Sequence, residues 1–155
     1  MSVKAILLAE DNPDDAELTR LAFAEARIAN PLVVARDGVE ALDYLYARGA
    51  YAGRDPNDLP ALVLLDLNLP KLDGREVVQA IRDRRPQVPV VILSGCIQQL
   101  GLKEELSQIA DAVLFKGPSE LDDLLRTVSK LVKRAAGSAS RSSESKKGAS
   151  LRGRA

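Results

Sequence analysis

The chain has 155 residues, with 22 Lys and Arg, 22 Asp and Glu, a formal net charge of zero and no histidine. This length predicts one domain of ordinary size with a single hydrophobic core. The lack of histidine excludes Ser-His-Asp and Cys-His catalytic sites, the usual zinc sites and a role as a histidine phosphocarrier. The lone Cys96 cannot form a disulfide within the chain. Any chemistry must therefore use carboxylates, hydroxyls, lysines and hard metal ions.

Hydropathy and charge divide the chain into a body and a tail. No apolar run approaches the roughly 20 residues of a membrane span, and acidic residues come too early for a signal peptide, so we expect a soluble cytoplasmic protein without membrane contact. From Gly137 onward there are five basic residues, and Glu144 is the only acidic one. This Ser/Gly-rich segment has no apolar periodicity. We therefore predict a folded body at 1–136 and a disordered basic tail at 137–155, solvated rather than bound to nucleic acid.

The body alternates apolar runs with helical patterns, as is typical of a parallel α/β sheet. After the first run, Asn12 and Pro13 form a helix N-terminus, and this helix is predicted to continue to Asn30-Pro31. The predicted strands are residues 3–9, 31–35, 61–65, 88–93 and 112–115. The predicted helices start near Asn12, Asp37, Gly74, Gln98 and Leu121, and the first is expected to bury Leu18, Leu21, Ala22 and Ala26. Five strand–helix pairs predict the flavodoxin-like (βα)5 doubly wound parallel sheet with strand order 2-1-3-4-5.

Polar side chains collect at the carboxyl ends of the predicted strands, where ligands bind in such folds. Only the second strand lacks such a group. The strand-end residues are Glu10 and Asp11, Asp66, Ser94 and Lys116. Three carboxylates in one place would repel one another unless a cation lay between them. Mg²⁺ suits this group because it prefers oxygen ligands and retains waters, and the carboxylates of Asp11 and Asp66, the Asn68 carbonyl and solvent would be sufficient ligands.

Four features together resemble the receiver domains of two-component response regulators. They are the segments AEDNPDDAEL, LLDLNLPKLDG and VVILSG, and the lysine at position 116. The resemblance covers residues 3–134. It implies that Asp66 accepts a phosphoryl group, with Asp11 and the Asn68 carbonyl as ligands of Mg²⁺. The domain would then be a signalling module and not an enzyme.

The resemblance also implies roles for the remaining strand-end residues. Glu10 would support the metal through water, Ser94 would hydrogen-bond the phosphoryl group, and Lys116 would pair with its charge. Phe115 matches the aromatic position whose rotation reports the phosphorylated state. The chain departs from the family pattern after the lysine, where Gly117 separates it from Pro118.

A narrower resemblance is to the single-domain regulators that pair with bacterial phytochrome kinases. It rests on the acidic opening at residues 10–15, the long polar loop at 49–59 and the absence of an output domain. It implies a sensor histidine kinase, of the bacteriophytochrome type, as partner. Two alternatives remain open. A haloacid dehalogenase-like phosphatase would need a second Asp where Asn68 stands, and an unphosphorylated pseudo-receiver scaffold would be favoured if an acidic residue or the lysine were missing.

Apolar residues near the end of the body predict an interface. Leu121, Leu124, Leu125 and Val128 should seal the last helix onto the sheet. Leu100, Leu102 and Leu106 give the preceding helix more apolar residues than one buried stripe requires, so some should be exposed. Exposed contiguous apolar surface marks a partner site, and we predict a homodimer through the fourth helix, fifth strand and fifth helix.

Overall fold

The computed structural model describes residues 3–67, 69, 71, 74–84, 86–94, 100–115 and 121–134, with the backbone alone at 100–103. Five parallel strands form one sheet in the order β2-β1-β3-β4-β5, so the predicted fold and strand order are confirmed. The strands are β1 (Ile6–Ala9), β2 (Leu32–Ala35), β3 (Leu62–Asp66), β4 (Val90–Ser94) and β5 (Ala112–Phe115). The helices are α1 (Pro13–Glu25), α2 (Gly38–Tyr46), α3 (Gly74–Arg84), α4 (Leu100–Ile109) and α5 (121–134), with a short 3₁₀ helix at Gly49–Tyr51.

The three inner strands are apolar because helices cover both faces of the sheet. Every residue of β1, β3 and β4 is buried, whereas the edge strands β2 and β5 are mostly half-buried. Continuous apolar runs are typical of parallel strands covered on both sides. The register pairs Ala9 with Leu65 and Asp66 with Leu93, so the polar residues at the strand ends lie along one edge of the sheet.

The core forms one layer on each face of the sheet. Residues of α2, α3 and α4, among them Leu45, Ile81 and Leu106, pack on one face. Residues of α1 and α5, among them Phe23 and Val128, pack on the other. In the part of the chain that the structure describes, no helix is both long and apolar enough to cross a membrane.

The predicted buried face of α1 was wrong for both leucines and right for Ala22. Leu18 and Leu21 are 61% and 57% exposed, and Ala16, Thr19, Ala22 and Phe23 are buried instead. At 100° per residue the two leucines lie on the side of the helix opposite this buried group. Ala16 and Phe23 belong to the core layer on this face of the sheet.

The helix also ends earlier than predicted. Its last residue is Glu25, and Ala26, predicted to be buried, is an exposed cap residue. Arg27 then adopts a left-handed conformation with φ 59°, and the Ile28 amide donates to the Phe23 carbonyl. This bond pattern resembles a Schellman-type ending, which occurs in helices well before a proline is reached.

The last helix matches its prediction except at its first residue. Leu124, Val128 and Leu131 are buried against the sheet, and Leu125 is half-buried. Leu121, which was expected to join this contact, is 37% exposed. Leu106 on α4 is 2% exposed, and Leu100 and Leu102 have side chains outside the described residues. The described part of α4 therefore gives no support to the predicted apolar surplus.

Candidate functional site

The neighbouring strands β1 and β3 bring three carboxylates together. Glu10 and Asp11 follow β1, and Asp66 is the last residue of β3. One carboxylate oxygen from each lies within 4.8 Å of the others. Glu10 and Asp66 are 3% and 5% exposed, whereas Asp11 is exposed. The predicted acidic group thus exists, although 56 positions separate Glu10 from Asp66 in the sequence.

Backbone hydrogen bonds fix both sides of this group. The Glu10 amide donates to the Ala35 carbonyl over 2.8 Å, which extends the pairing with β2 by one residue. The Glu10 carboxylate accepts from the Asn12 amide over 3.3 Å, and the Asn12 side chain caps α1. Because these hydrogen bonds hold the turn from β1 to α1, they also fix the backbone that carries Glu10 and Asp11.

The connection from β3 to α3 is held by a close backbone approach. The Gly74 amide donates to the Leu67 carbonyl over 3.1 Å. A Cβ atom at Gly74 would lie 2.8 Å from the Leu67 Cα and carbonyl oxygen and 2.9 Å from the Asp66 carbonyl oxygen. Only glycine permits this approach without a backbone shift. The sequence analysis missed this role of Gly74, whose signal was a glycine at the start of a helix eight residues after Asp66.

The next two strands contribute Ser94 and Phe115 to the same edge of the sheet. Each is the last residue of its strand, and the register places them opposite each other. Ser94 is 6% exposed and Phe115 is half-buried. Asn68 and Lys116 lie outside the described residues, as does the peptide from Lys116 to Gly117. The structure therefore places five of the seven predicted site residues along one edge of the sheet, and three of them, Glu10, Asp11 and Asp66, in one group.

The donor set at the acidic group suits a hard divalent cation. All three side chains offer carboxylate oxygens, which Mg²⁺ and Ca²⁺ prefer as ligands, whereas soft metals prefer sulfur ligands. Two unit charges 4.8 Å apart repel by roughly 3.5 kcal/mol at an effective dielectric constant of about 20, so a cation between Glu10 and Asp66 offsets a substantial cost. Asp11, being exposed, leaves one side of the group open to solvent.

A cleft of about 380 Å³ gives access to the acidic group from the side of α1 and β2. Its lining includes Glu10 and Asp11, together with Ala16, Val34 and Arg36. Although Glu10 is only 3% exposed, it therefore lies at the wall of a cleft beside the acidic group.

The family model for the response regulator receiver domain matches residues 6–129. The chain belongs to this family. Receiver-domain regulators are signalling proteins, and membership favours that function over the haloacid dehalogenase-like phosphatase. It also agrees with the observed sheet order and with an acidic group at the strand ends.

Three solved structures illustrate the similarity. The bacteriophytochrome response regulator AtBRR is 41% identical with a TM-score of 0.74, covering 84% of this chain and 94% of that one. The Mn²⁺-bound form of Rcp1 is 34% identical with a TM-score of 0.67, covering 81% and 88%. The phosphorylated cyanobacterial phytochrome response regulator RcpA is 36% identical with a TM-score of 0.67, covering 82% and 89%. In sequence, Rcp1 of Synechocystis is 40% identical over 93 residues, 59% of this chain and 61% of that protein.

Proposed function

We propose that this chain is a phosphorylation-controlled signalling protein in which Asp66 accepts a phosphoryl group from a sensor histidine kinase in a Mg²⁺-dependent reaction. The observation that carries the proposal is the meeting of Glu10, Asp11 and Asp66 within 4.8 Å at the ends of β1 and β3. A carboxylate is a competent nucleophile toward phosphorus, as in ATPases that form an aspartyl phosphate. Phosphoryl transfer itself depends mainly on positioning and on neutralising oxygen charge.

The proposed transfer needs few protein groups. An Asp66 carboxylate oxygen attacks phosphorus while the bond from phosphorus to the donor histidine nitrogen breaks, and an aspartyl phosphate results. Mg²⁺ held by Asp11, Asp66 and the Asn68 carbonyl would supply charge neutralisation. Glu10 would orient a metal-bound water. Ser94 would hydrogen-bond the new phosphoryl group and Lys116 would pair with its charge, and a receiver turns this local change into a different packing of its surface.

Two observations support a phosphorylation readout through the last two strands. Ser94 and Phe115 end neighbouring strands and pair in register. Phe115 is half-buried at the edge strand β5. We propose that contact of the phosphoryl group with Ser94 shifts the balance between two positions of Phe115.

The proposed phosphodonor is a histidine kinase of the phytochrome type, because AtBRR and RcpA are response regulators of phytochromes by their own descriptions.

The exposed Leu18 and Leu21 of α1 would offer this kinase an apolar contact, since α1 begins two residues after Asp11 of the acidic group. Leu18→Ser with Leu21→Ser should slow transfer from the kinase and leave labelling by acetyl phosphate unchanged. Equal rates from the kinase would contradict this docking face.

We further propose a homodimer through α4, β5 and α5. The support is the half-buried edge strand β5 and the exposed Leu121 at the start of α5. An open edge strand and exposed apolar residues favour pairing with another chain. Light scattering over a concentration series, with and without a beryllofluoride phosphoryl mimic, tests this interface. A strict monomer in both states would rule the dimer out.

The remaining proposals concern the limits of the domain and its location. We propose a receiver body at 1–136 and a solvated basic tail at 137–155, in a protein of the cytoplasm. The composition of the tail supports this division, because it has no periodic apolar face to dock on the body. The tail fused to a folded carrier should show no NMR shift changes on adding DNA, and clear shifts would favour the nucleic-acid alternative.

One experiment tests the central proposal. The protein is treated with acetyl phosphate and Mg²⁺, and the added mass is located by peptide mapping. We expect one phosphoryl group on Asp66, and none after treatment in EDTA. Asp66→Asn is nearly isosteric but lacks the anionic nucleophile, so it should stay folded and unlabelled. Undiminished labelling of this variant would refute the assignment.

A further inference from the structure

Lys71 has an unusual backbone conformation in the connection from β3 to α3. It lies five residues after Asp66 and three before Gly74. Its φ is 68°, in the left-handed region that glycine prefers. For a residue with a Cβ this conformation is unfavourable, and such outliers cluster where the surrounding structure needs them.

The Lys71 side chain reaches the start of α2. Its Nζ lies 3.3 Å from Oδ2 of Asp37, the N-cap residue of that helix. The other carboxylate oxygen of Asp37, Oδ1, accepts from the Glu40 amide over 2.7 Å. One oxygen therefore caps α2 while the other holds Lys71. The Asp37 side chain is 14% exposed, and its pKa is lowered, chiefly by the hydrogen bond from the Glu40 backbone and further by Lys71.

The position of Asp37 is itself braced. Oε2 of Glu40 accepts from the Arg36 amide over 3.1 Å, and Oε1 accepts from the Tyr51 hydroxyl over 3.1 Å. The Tyr51 ring meets the Tyr44 ring edge-on at 5.1 Å. Arg54 lies 3.7 Å above the same Tyr44 ring and donates to the Tyr44 carbonyl. The first turn of α2 is thus joined to the long loop that follows the helix.

These contacts give the β3 to α3 connection a third point of attachment. Its first end is fixed by Asp66 in the sheet, and its last end by the Gly74 bond to Leu67. Lys71 is near its middle and is tied to Asp37.

We propose that Lys71 is a positioning residue for the metal site: its ion pair with Asp37 ties the connection that follows Asp66 to the start of α2, and so supports the side of the acidic group that β3 supplies. This inference rests on the proposed function. It explains why a lysine occupies a backbone conformation that suits glycine. It also assigns a role to the long loop between α2 and β3, because that loop contacts the helix whose N-cap is Asp37. Lys71 acts through the loop and does not touch the phosphoryl group.

The test measures Mg²⁺ affinity by calorimetry, with thermal stability in EDTA as a second readout. Lys71→Met removes the charge, and Asp37→Asn removes the partner charge but keeps a capping side chain. Each should weaken Mg²⁺ binding about threefold, which corresponds to about 0.65 kcal/mol and is within the range of an exposed ion pair. The double variant should bind no more weakly than either single one. Lys71→Arg, which keeps the charge, should bind like the wild type.

Lys71→Gly separates the ion pair from the turn. It removes the left-handed penalty together with the ammonium, so it should be at least as stable as wild type in EDTA and still bind Mg²⁺ about threefold more weakly. Wild-type affinity in Lys71→Met, additive losses in the double variant, or full affinity in Lys71→Gly would each overturn the proposal. Failure of the proposed function would appear elsewhere, as absence of labelling in the wild type, because these affinities are measured without a phosphodonor.

Discussion

Gly74→Ala tests how closely the start of α3 packs against the end of β3, because two effects predict opposite changes in the free energy of unfolding. Helix propensity alone favours alanine by up to about 1 kcal/mol. The structure predicts a loss, since the new Cβ would lie 2.8 Å from the Leu67 Cα and carbonyl oxygen and 2.9 Å from the Asp66 carbonyl oxygen. Ordinary contacts begin near 3.4 Å. The backbone would therefore have to move by about 0.5 Å.

The magnitude follows from which atoms must move. All three belong to the backbone of the strand end and its first loop residue, so no flexible side chain relieves the overlap. Overpacking of this kind costs about 1–3 kcal/mol, and we expect a net loss of about 2 kcal/mol in the free energy of unfolding. For a chain of this size that lowers the melting temperature by about 4–8 °C. The same shift should weaken Mg²⁺ binding, because it displaces Asp66.

Gly53→Ala is the matched control. A Cβ at Gly53 would have no atom within 4 Å, so the substitution should be neutral or stabilising by about 0.4–1 kcal/mol through the unfolded state. Urea denaturation and calorimetry in EDTA measure both variants. If Gly74→Ala is as stable as wild type, or more stable, the close approach of α3 is not a constraint and the reasoning is refuted.

Three further predictions follow from other parts of the fold. On α1, Phe23→Ala should lower the free energy of unfolding by about 3–5 kcal/mol and Leu18→Ala by less than about 0.5 kcal/mol, because only Phe23 is buried. If urea denaturation gives similar losses for both variants, the leucines face the core as the sequence predicted. The pKa of Asp37 is lowered by the Glu40 amide and by Lys71, so the wild type should be more stable than Asp37→Asn above about pH 4. This difference in the free energy of unfolding should disappear as pH falls through the lowered pKa. A difference that does not change with pH would contradict the ionic contribution. Truncation after Ala136 should leave melting temperature and labelling nearly unchanged, whereas a loss of several degrees would show that the tail docks on the body.

The predictions on α1 show the limit of helical periodicity as a guide to burial. Leu18 and Leu21 are more apolar than Ala16 and Thr19, so apolar content favoured the wrong side of the helix. Which side is buried depends on how the whole helix packs against β1, β3 and α5. Of these elements, β3 and α5 lie far away in the sequence.

The expected exposed apolar surface on α4 stays a prediction. Leu106 is buried, and the side chains of Leu100 and Leu102 lie outside the described residues. A count of apolar residues does not give the area that a neighbouring strand and helix cover. The dimer proposal therefore depends more on the edge strand β5 and on Leu121 than on α4.

The sequence by itself determined the order of the elements, the parallel sheet and the identity of the acidic residues at its edge. Each depends on a short-range pattern: a fully apolar strand, a capped helix start such as Asn12-Pro13, or a polar residue where a strand ends. Doubly wound topology then restricts the strand order to a few arrangements. For this reason Glu10, Asp11, Asp66, Ser94 and Phe115 could be assigned to one edge of the sheet in advance.

Only the tertiary structure decided the contacts between segments that have no local relation. The pair of Lys71 and Asp37 joins two loops 34 positions apart, and neither residue differs in sequence from an ordinary surface charge. The approach of Gly74 to Leu67 depends on the angle at which α3 packs on the sheet. Such contacts follow from the packing of whole helices and strands, whose free energy is summed over many residues, and no single residue pattern encodes them.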